Sequence, residues 1–256
     1  MRAELKKDAI KKRCSRAGSL CLLSSHLIHF DISTMAPRAS IVLYYDIVSP
    51  YSYFGFNLLK RYRQQWKDVD VVLQPAFLAG LMSTAKNQPP ATVAAKGAYM
   101  FADLNNVSAA SGIPFKFPSE FPVLTIQTMR LLIVLQRHEA DKYEQCIEKL
   151  YEEYWCNDKN VSQKDILISA LTPIIGSEAK VEEYYEMTGQ KEIKQALIDN
   201  TQTAFEAGAF GMPTFIVKKA GSDEEHMFFG SDRFELMASV LELPYYGLAP
   251  NPAAKL

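Results

Sequence analysis

Ser49-Pro50-Tyr51-Ser52 stands where an apolar run, Leu43-Tyr44-Tyr45, breaks and a helical pattern through Leu58, Leu59 and Tyr62 begins. The first turn of a helix carries orphan N–H groups and the positive end of the macrodipole, so an anion placed there is stabilised. Serine hydroxyls at such a junction add donors. This chemistry differs from covalent attack by serine, since no His/Asp partner lies near Ser49 and no Gly-x-Ser-x-Gly elbow is present. Dithiol exchange is excluded, because Ser49 and Ser52 occupy the two positions where a Cys-x-x-Cys oxidoreductase carries its thiols. Any sulfur handled here must come from a ligand. Ser49 would meet it and Ser52 support the loop, while Tyr51 either lines the sulfur's surroundings or packs on the sheet. The plain alternative is that Ser49 only caps the helix.

Further along, Gly208-Ala209-Phe210-Gly211-Met212-Pro213 precedes the β-branched run Thr214-Phe215-Ile216-Val217. A proline in that place suits a cis peptide, and the backbone N–H and C=O of Met212 could then pair with an extended ligand. Ser231 and Asp232, in Gly230-Ser231-Asp232-Arg233, precede a last helical pattern, where they either cap the helix or hold charged ends of a ligand.

These three separated motifs resemble the kappa class of glutathione transferases, the branch similar to DsbA and to bacterial 2-hydroxychromene-2-carboxylate isomerases, from about Ile41 to the C-terminus. The resemblance implies a site for glutathione as co-substrate, formed by Ser49, Pro50, Tyr51, Asn87, Lys96, Met212, Pro213, Ser231 and Asp232. Ser49 would donate to the thiolate, Met212 pair with the cysteinyl unit, Asp232 meet the γ-glutamyl ammonium and Lys96 the glycyl carboxylate. It implies conjugation to small hydrophobic electrophiles, or attack on a peroxide, by a homodimer. A glutathione-dependent isomerase and a non-catalytic thioredoxin-like binding or chaperone module are the rival readings. Tyr53 stands where many relatives have tryptophan. Phe77, Leu78, Met82, Tyr99 and Met100 could line the second-substrate site or simply belong to the core.

The chain that must position these residues has 256 of its own, 48% of them hydrophobic, enough for a substantial core. A net charge of -1 offers no case for nucleic acid as partner. Residues 1–40 are the outlier, with a local balance of +5 against -6 for the remainder. Cys14, Cys21, Cys146 and Cys156 lack metal-ligand spacing and read as free thiols; the four histidines are scattered, so no metal site is expected. No apolar run is long enough for a membrane span. Ala254-Lys255-Leu256 resembles a peroxisomal address, and the basic, serine-containing N-terminal segment gives a mitochondrial alternative.

Periodicity predicts strands at 41–45, 69–74, 214–217 and 226–229. Helices are predicted at 51–66, 93–105, 123–137, 142–154, 163–171, 178–187, 191–207 and 233–241. With the resemblance this gives an α/β, thioredoxin-like fold carrying an all-helical insertion between the second and third strands, as in DsbA. The expected parts are an N-terminal extension at 1–40, a thioredoxin-like domain at 41–88 and 201–245, the insertion at 89–200, and a tail at 246–256.

Overall fold

A computed structural model describes residues 38–248. Most of the N-terminal extension, with Cys14 and Cys21, and the tripeptide Ala254-Lys255-Leu256 lie outside the described residues.

The run Ala39–Tyr45 forms β1, an inner strand of a four-stranded sheet, with β2 (Val69–Pro75) parallel on one side and β3 (Thr214–Lys218) antiparallel on the other. Strand β4 (Glu225–Phe229) closes the order β2-β1-β3-β4 as an antiparallel hairpin partner of β3. Alternation puts Leu43 and Tyr45 of β1, with Phe215 and Val217 of β3, in the large core cluster. Tyr44 and Ile216 point to a smaller cluster with Ala76, Leu81, Ala204 and Met212 on the opposite face.

Helix α1 (Pro50–Arg63) starts from a Ser49 N-cap with Pro50 in its first turn, and Lys60, Arg61 and Arg63 complement the dipole at its end. The stretch between β2 and β3 is helical: α2 (Leu78–Thr84), α3 (Ala94–Ser111), α4 (Ile126–His138), α5 (Tyr143–Trp155), α6 (Lys164–Ile175), α7 (Glu178–Met187) and α8 (Lys191–Glu206). The last helix, α9, is Phe234–Leu241. Helix α5 is pinned to the strand ends by two buried bonds, from the Trp155 indole to the Ile47 carbonyl at 2.9 Å and from the Tyr143 hydroxyl to that of Leu73 at 3.2 Å.

Three elements depart from the periodicity. Helix α2 is not predicted, because Leu-Ala-Gly-Leu-Met-Ser-Thr is short and interrupted by Gly80; burial of Leu81 and Met82 decides it. Helix α3 runs on to Ser111 and ends at Gly112, whose φ of +63° suits a left-handed C-cap. Helix α6 passes through Pro173 rather than stopping at Leu171 and ends at Gly176, so the lost N–H lies close to the helix end.

Register decides where chemistry can occur. Tyr44 pairs with Thr214, Tyr45 with Pro75, and Thr214 with Phe229. The segments leaving β1, β2 and β4 and the one entering β3 therefore emerge at one end of the sheet. Ser49, Asn87, Met212 and Ser231 are all on these segments.

Helix α1 lies tight against the segment entering β3 at Gly55: a Cβ there would stand 3.1 Å from Pro213 Cγ and 3.2 Å from Phe215 Cζ. Gly55→Val is expected to lower unfolding free energy by about 2 kcal/mol through overpacking and β-branching in a helix. Denaturant melts check this, and a variant as stable as wild type would contradict the tight contact.

Candidate functional site

The corner where β1 gives way to α1 is built around Ser49. Its backbone is extended, its N–H donates to the Asp46 carbonyl at 3.1 Å, and its hydroxyl oxygen accepts the Ser52 N–H at 3.1 Å. The same hydroxyl donates to the Met212 carbonyl at 2.9 Å, a bond spanning 163 positions of sequence. The side chain is 3% exposed. Pro50 has no N–H and the Tyr53 N–H bonds to the Ser49 carbonyl, so Tyr51 keeps the one first-turn N–H without a partner among the described residues.

Facing it, the Met212–Pro213 peptide is cis. The Met212 carbonyl holds the Ser49 hydroxyl, while its N–H has no partner among the described residues. The Pro213 carbonyl accepts from Gly230 at 3.1 Å, which ties the segment after β4 to this corner. Asn87, in the loop after α2, donates its amide to the Phe210 carbonyl at 2.8 Å and accepts from the Gln88 N–H at 2.8 Å, so it braces the loop ahead of the cis-proline.

Lys96 lies in the first turn of α3, where a cation opposes the helix dipole, and it makes no ion pair with any described residue. With Tyr51, Pro90, Ala95, Tyr99 and Met100 it lines a cavity of about 370 Å³. Tyr51, half-buried, donates to Asp103 Oδ2 at 2.8 Å. Burial first, then that bond and the nearby charges of Asp103 and Asp232, push the phenol's pKa far above its ordinary value. Of the proposed second-substrate residues only Tyr99 and Met100 reach this cavity; Phe77 and Leu78 pack against the core clusters and Met82 is buried.

The Ser231-Asp232 pair is corrected in one respect. It does not cap the last helix, because α9 begins two residues later from Arg233, with no side-chain cap. Ser231 is buried, and Asp232 is exposed and paired with Arg233 at 3.4 Å. Gly230, with φ of +102°, turns the chain just ahead of the pair.

Two further carboxylates stand behind the site. Asp103 follows Tyr99 by four residues and Lys96 by seven, a helical spacing that places all three on one face. Asp46, three residues before Ser49, is fully buried. Its Oδ1 accepts from Val48 N–H at 3.1 Å and Thr125 Oγ1 at 2.7 Å, and its Oδ2 from Leu78 N–H at 2.9 Å. The carboxylate thus joins the turn before α1 to the starts of α2 and α4. Among the described residues no group of three or more His, Cys, Asp or Glu converges as a metal site, and no helix is long and apolar enough to cross a membrane.

Comparison with known proteins bears on the fold and the family. A family model for the DsbA-like thioredoxin domain matches residues 40–242. Glutathione S-transferase kappa 1 of Rattus norvegicus is 31% identical over 220 residues, covering 84% of this chain and 96% of the relative. The Homo sapiens protein of the same name is 30% identical over 219 residues, covering 84% and 95%. Among solved structures, a 2-hydroxychromene-2-carboxylate isomerase superposes with a TM-score of 0.67 at 18% identity, over 79% of this chain and 94% of that one, a likeness of fold.

Burial raises the Asp46 carboxyl from 3.8 to about 6, against the opposing effect of its hydrogen bonds. The folded protein therefore binds this proton more tightly than the unfolded chain. The associated stabilisation is complete below about pH 4 and is lost as pH rises through about 6, on the order of 3 kcal/mol. Wild type should gain that much on Asp46→Asn between pH 7 and pH 4 in paired melts. A difference that stays flat with pH would contradict the buried, charged assignment.

Proposed function

This chain belongs to the DsbA-like thioredoxin family and, within it, to the kappa-class glutathione transferases, and from that premise we propose that Ser49 activates the glutathione thiolate for conjugation to small hydrophobic electrophiles. The Ser49–Met212 hydrogen bond at the start of α1 carries the reading. It brings a hydroxyl, a helix N-terminus and a cis-proline backbone to one point.

Binding would proceed by an exchange of partners. A bound cysteinyl unit, extended beside Pro213, offers its own N–H to the Met212 carbonyl and its carbonyl to the Met212 N–H. That carbonyl then no longer needs the Ser49 proton, and the hydroxyl turns to the sulfur. Meanwhile the oxygen of Ser49 can keep accepting the Ser52 N–H. One charge-assisted bond of about 1.5–3 kcal/mol lowers a thiol pKa by about one to two units from 8.5, near neutrality, with the Tyr51 N–H and the helix dipole acting in the same direction. In the transfer itself, the carbon–sulfur bond forms as the carbon–halogen bond of an aryl halide breaks, and halide leaves with the electron pair. The protein supplies orientation and a preorganised anion site.

The remaining groups suit the rest of the tripeptide. Lys96 takes the glycyl carboxylate, Asp232 the γ-glutamyl ammonium and Ser231 the adjacent carboxylate, while Asn87 holds the cis-proline loop and contacts the ligand. On the same reading the enzyme acts as a homodimer and is peroxisomal, with the mitochondrion as the alternative.

Ser49→Ala tests the central role. Ultraviolet titration of bound glutathione should place the thiol pKa about one to two units above wild type, and kcat/KM for chlorodinitrobenzene at neutral pH should fall about ten- to a hundredfold. Equal pKa and equal turnover in the two proteins would refute activation by Ser49.

A further inference from the structure

Beside Ser49, the Tyr51 and Tyr99 hydroxyls both donate to one carboxylate, Tyr51 to Asp103 Oδ2 at 2.8 Å and Tyr99 to Asp103 Oδ1 at 3.3 Å. Tyr51 belongs to α1 and the other two to α3, so this carboxylate bridges the helix that starts at Ser49 to the helix that carries Lys96. Both rings line the cavity of about 370 Å³, together with Met100. Tyr99 is otherwise well exposed, and its bond to Asp103 is what restrains it.

We propose that Asp103 is a positioning residue that fixes the Tyr51 and Tyr99 rings as an aromatic wall of this cavity, against which the acceptor is held beside the bound tripeptide. The inference rests on the glutathione reading above and adds to it the residue that orders the acceptor's wall.

Two physical consequences lead there. A phenol that donates to a carboxylate has a more electron-rich ring, and the negative face of such a ring favours electron-poor partners in offset stacking. The Met100 thioether extends the same polarisable surface. Second, the Tyr51 proton is committed to Asp103 and is withheld from the sulfur, so Tyr51 serves the acceptor while Ser49 serves the thiolate. Loss of Asp103 should therefore loosen the acceptor and leave the thiolate alone, a separation that a purely structural residue would not give.

Calorimetric titration of wild type, Asp103→Ala and Asp103→Asn with glutathione and with S-(2,4-dinitrophenyl)glutathione tests this. Asp103→Ala, which removes the acceptor of both tyrosine bonds, should bind the aryl conjugate about tenfold more weakly, with glutathione affinity and bound-thiol pKa within about twofold and a few tenths of wild type. KM for chlorodinitrobenzene should rise while KM for iodomethane, which has no ring, holds. Asp103→Asn keeps one of the two acceptor oxygens and should fall between alanine and wild type. The proposal is overturned if alanine weakens both ligands alike, leaves the conjugate unaffected, or is matched by asparagine. A wild type that binds the conjugate but not glutathione, or neither, refutes the glutathione reading and this inference with it.

Discussion

A single hydrogen bond, from the Ser49 hydroxyl to the Met212 carbonyl, joins the two halves of the site, and most of the architecture serves to make it. It needs β1 and β3 to lie side by side with Tyr44 opposite Thr214, so that a strand ending and a strand beginning meet at one edge. It needs Gly55, which lets α1 approach Pro213. It also needs the insertion to return the chain to β3 from the correct side, which the docking of α5 onto Ile47 and Leu73 helps to secure. The donor and acceptor in this bond are the groups that a cysteinyl thiol and amide would each seek, so the corner is already arranged in the pattern that a ligand would complete.

The electrostatics of the corner follow from which donors are spent and which are kept. Asp46 absorbs the N–H groups of Val48 and Leu78 and the Thr125 hydroxyl, and so stabilises the turn from beneath without drawing on the first-turn donors of α1. Ser49 itself takes the Ser52 N–H. Left without a partner among the described residues are the Tyr51 N–H and the Met212 N–H. Asp103 then holds the Tyr51 hydroxyl toward the cavity. Division of labour among hydroxyls thus follows from which carboxylate or carbonyl each one meets.

The sequence made the strands, the helical insertion and the Ser49 junction readable, because strong local signals agree there: alternation in β1, Pro50 after a capping serine, and a proline just before a β-branched strand. Helix α2 was not readable, since tertiary burial of Leu81 and Met82 outweighs a weak local preference. The start of α9 at Phe234 was missed by one residue, because Arg233 at its N-cap makes no side-chain cap that a local pattern could reveal. The resemblance alone put Asn87 among the expected ligand contacts, and its bond to the Phe210 carbonyl is a contact across 123 positions that no local pattern encodes. Asp46 and Asp103 acquire their roles from partners on other elements, Thr125 and Leu78 for one and Tyr51 for the other. Helical spacing did hold a clue to Asp103, through its common face with Lys96 and Tyr99.

The most direct measurement is a crystal structure with glutathione bound. The account predicts the sulfur within hydrogen-bonding reach of Ser49 Oγ, the cysteinyl unit paired with both backbone groups of Met212, and the Ser49–Met212 bond opened. A sulfur lying away from Ser49, with the Ser49–Met212 bond intact, would contradict it.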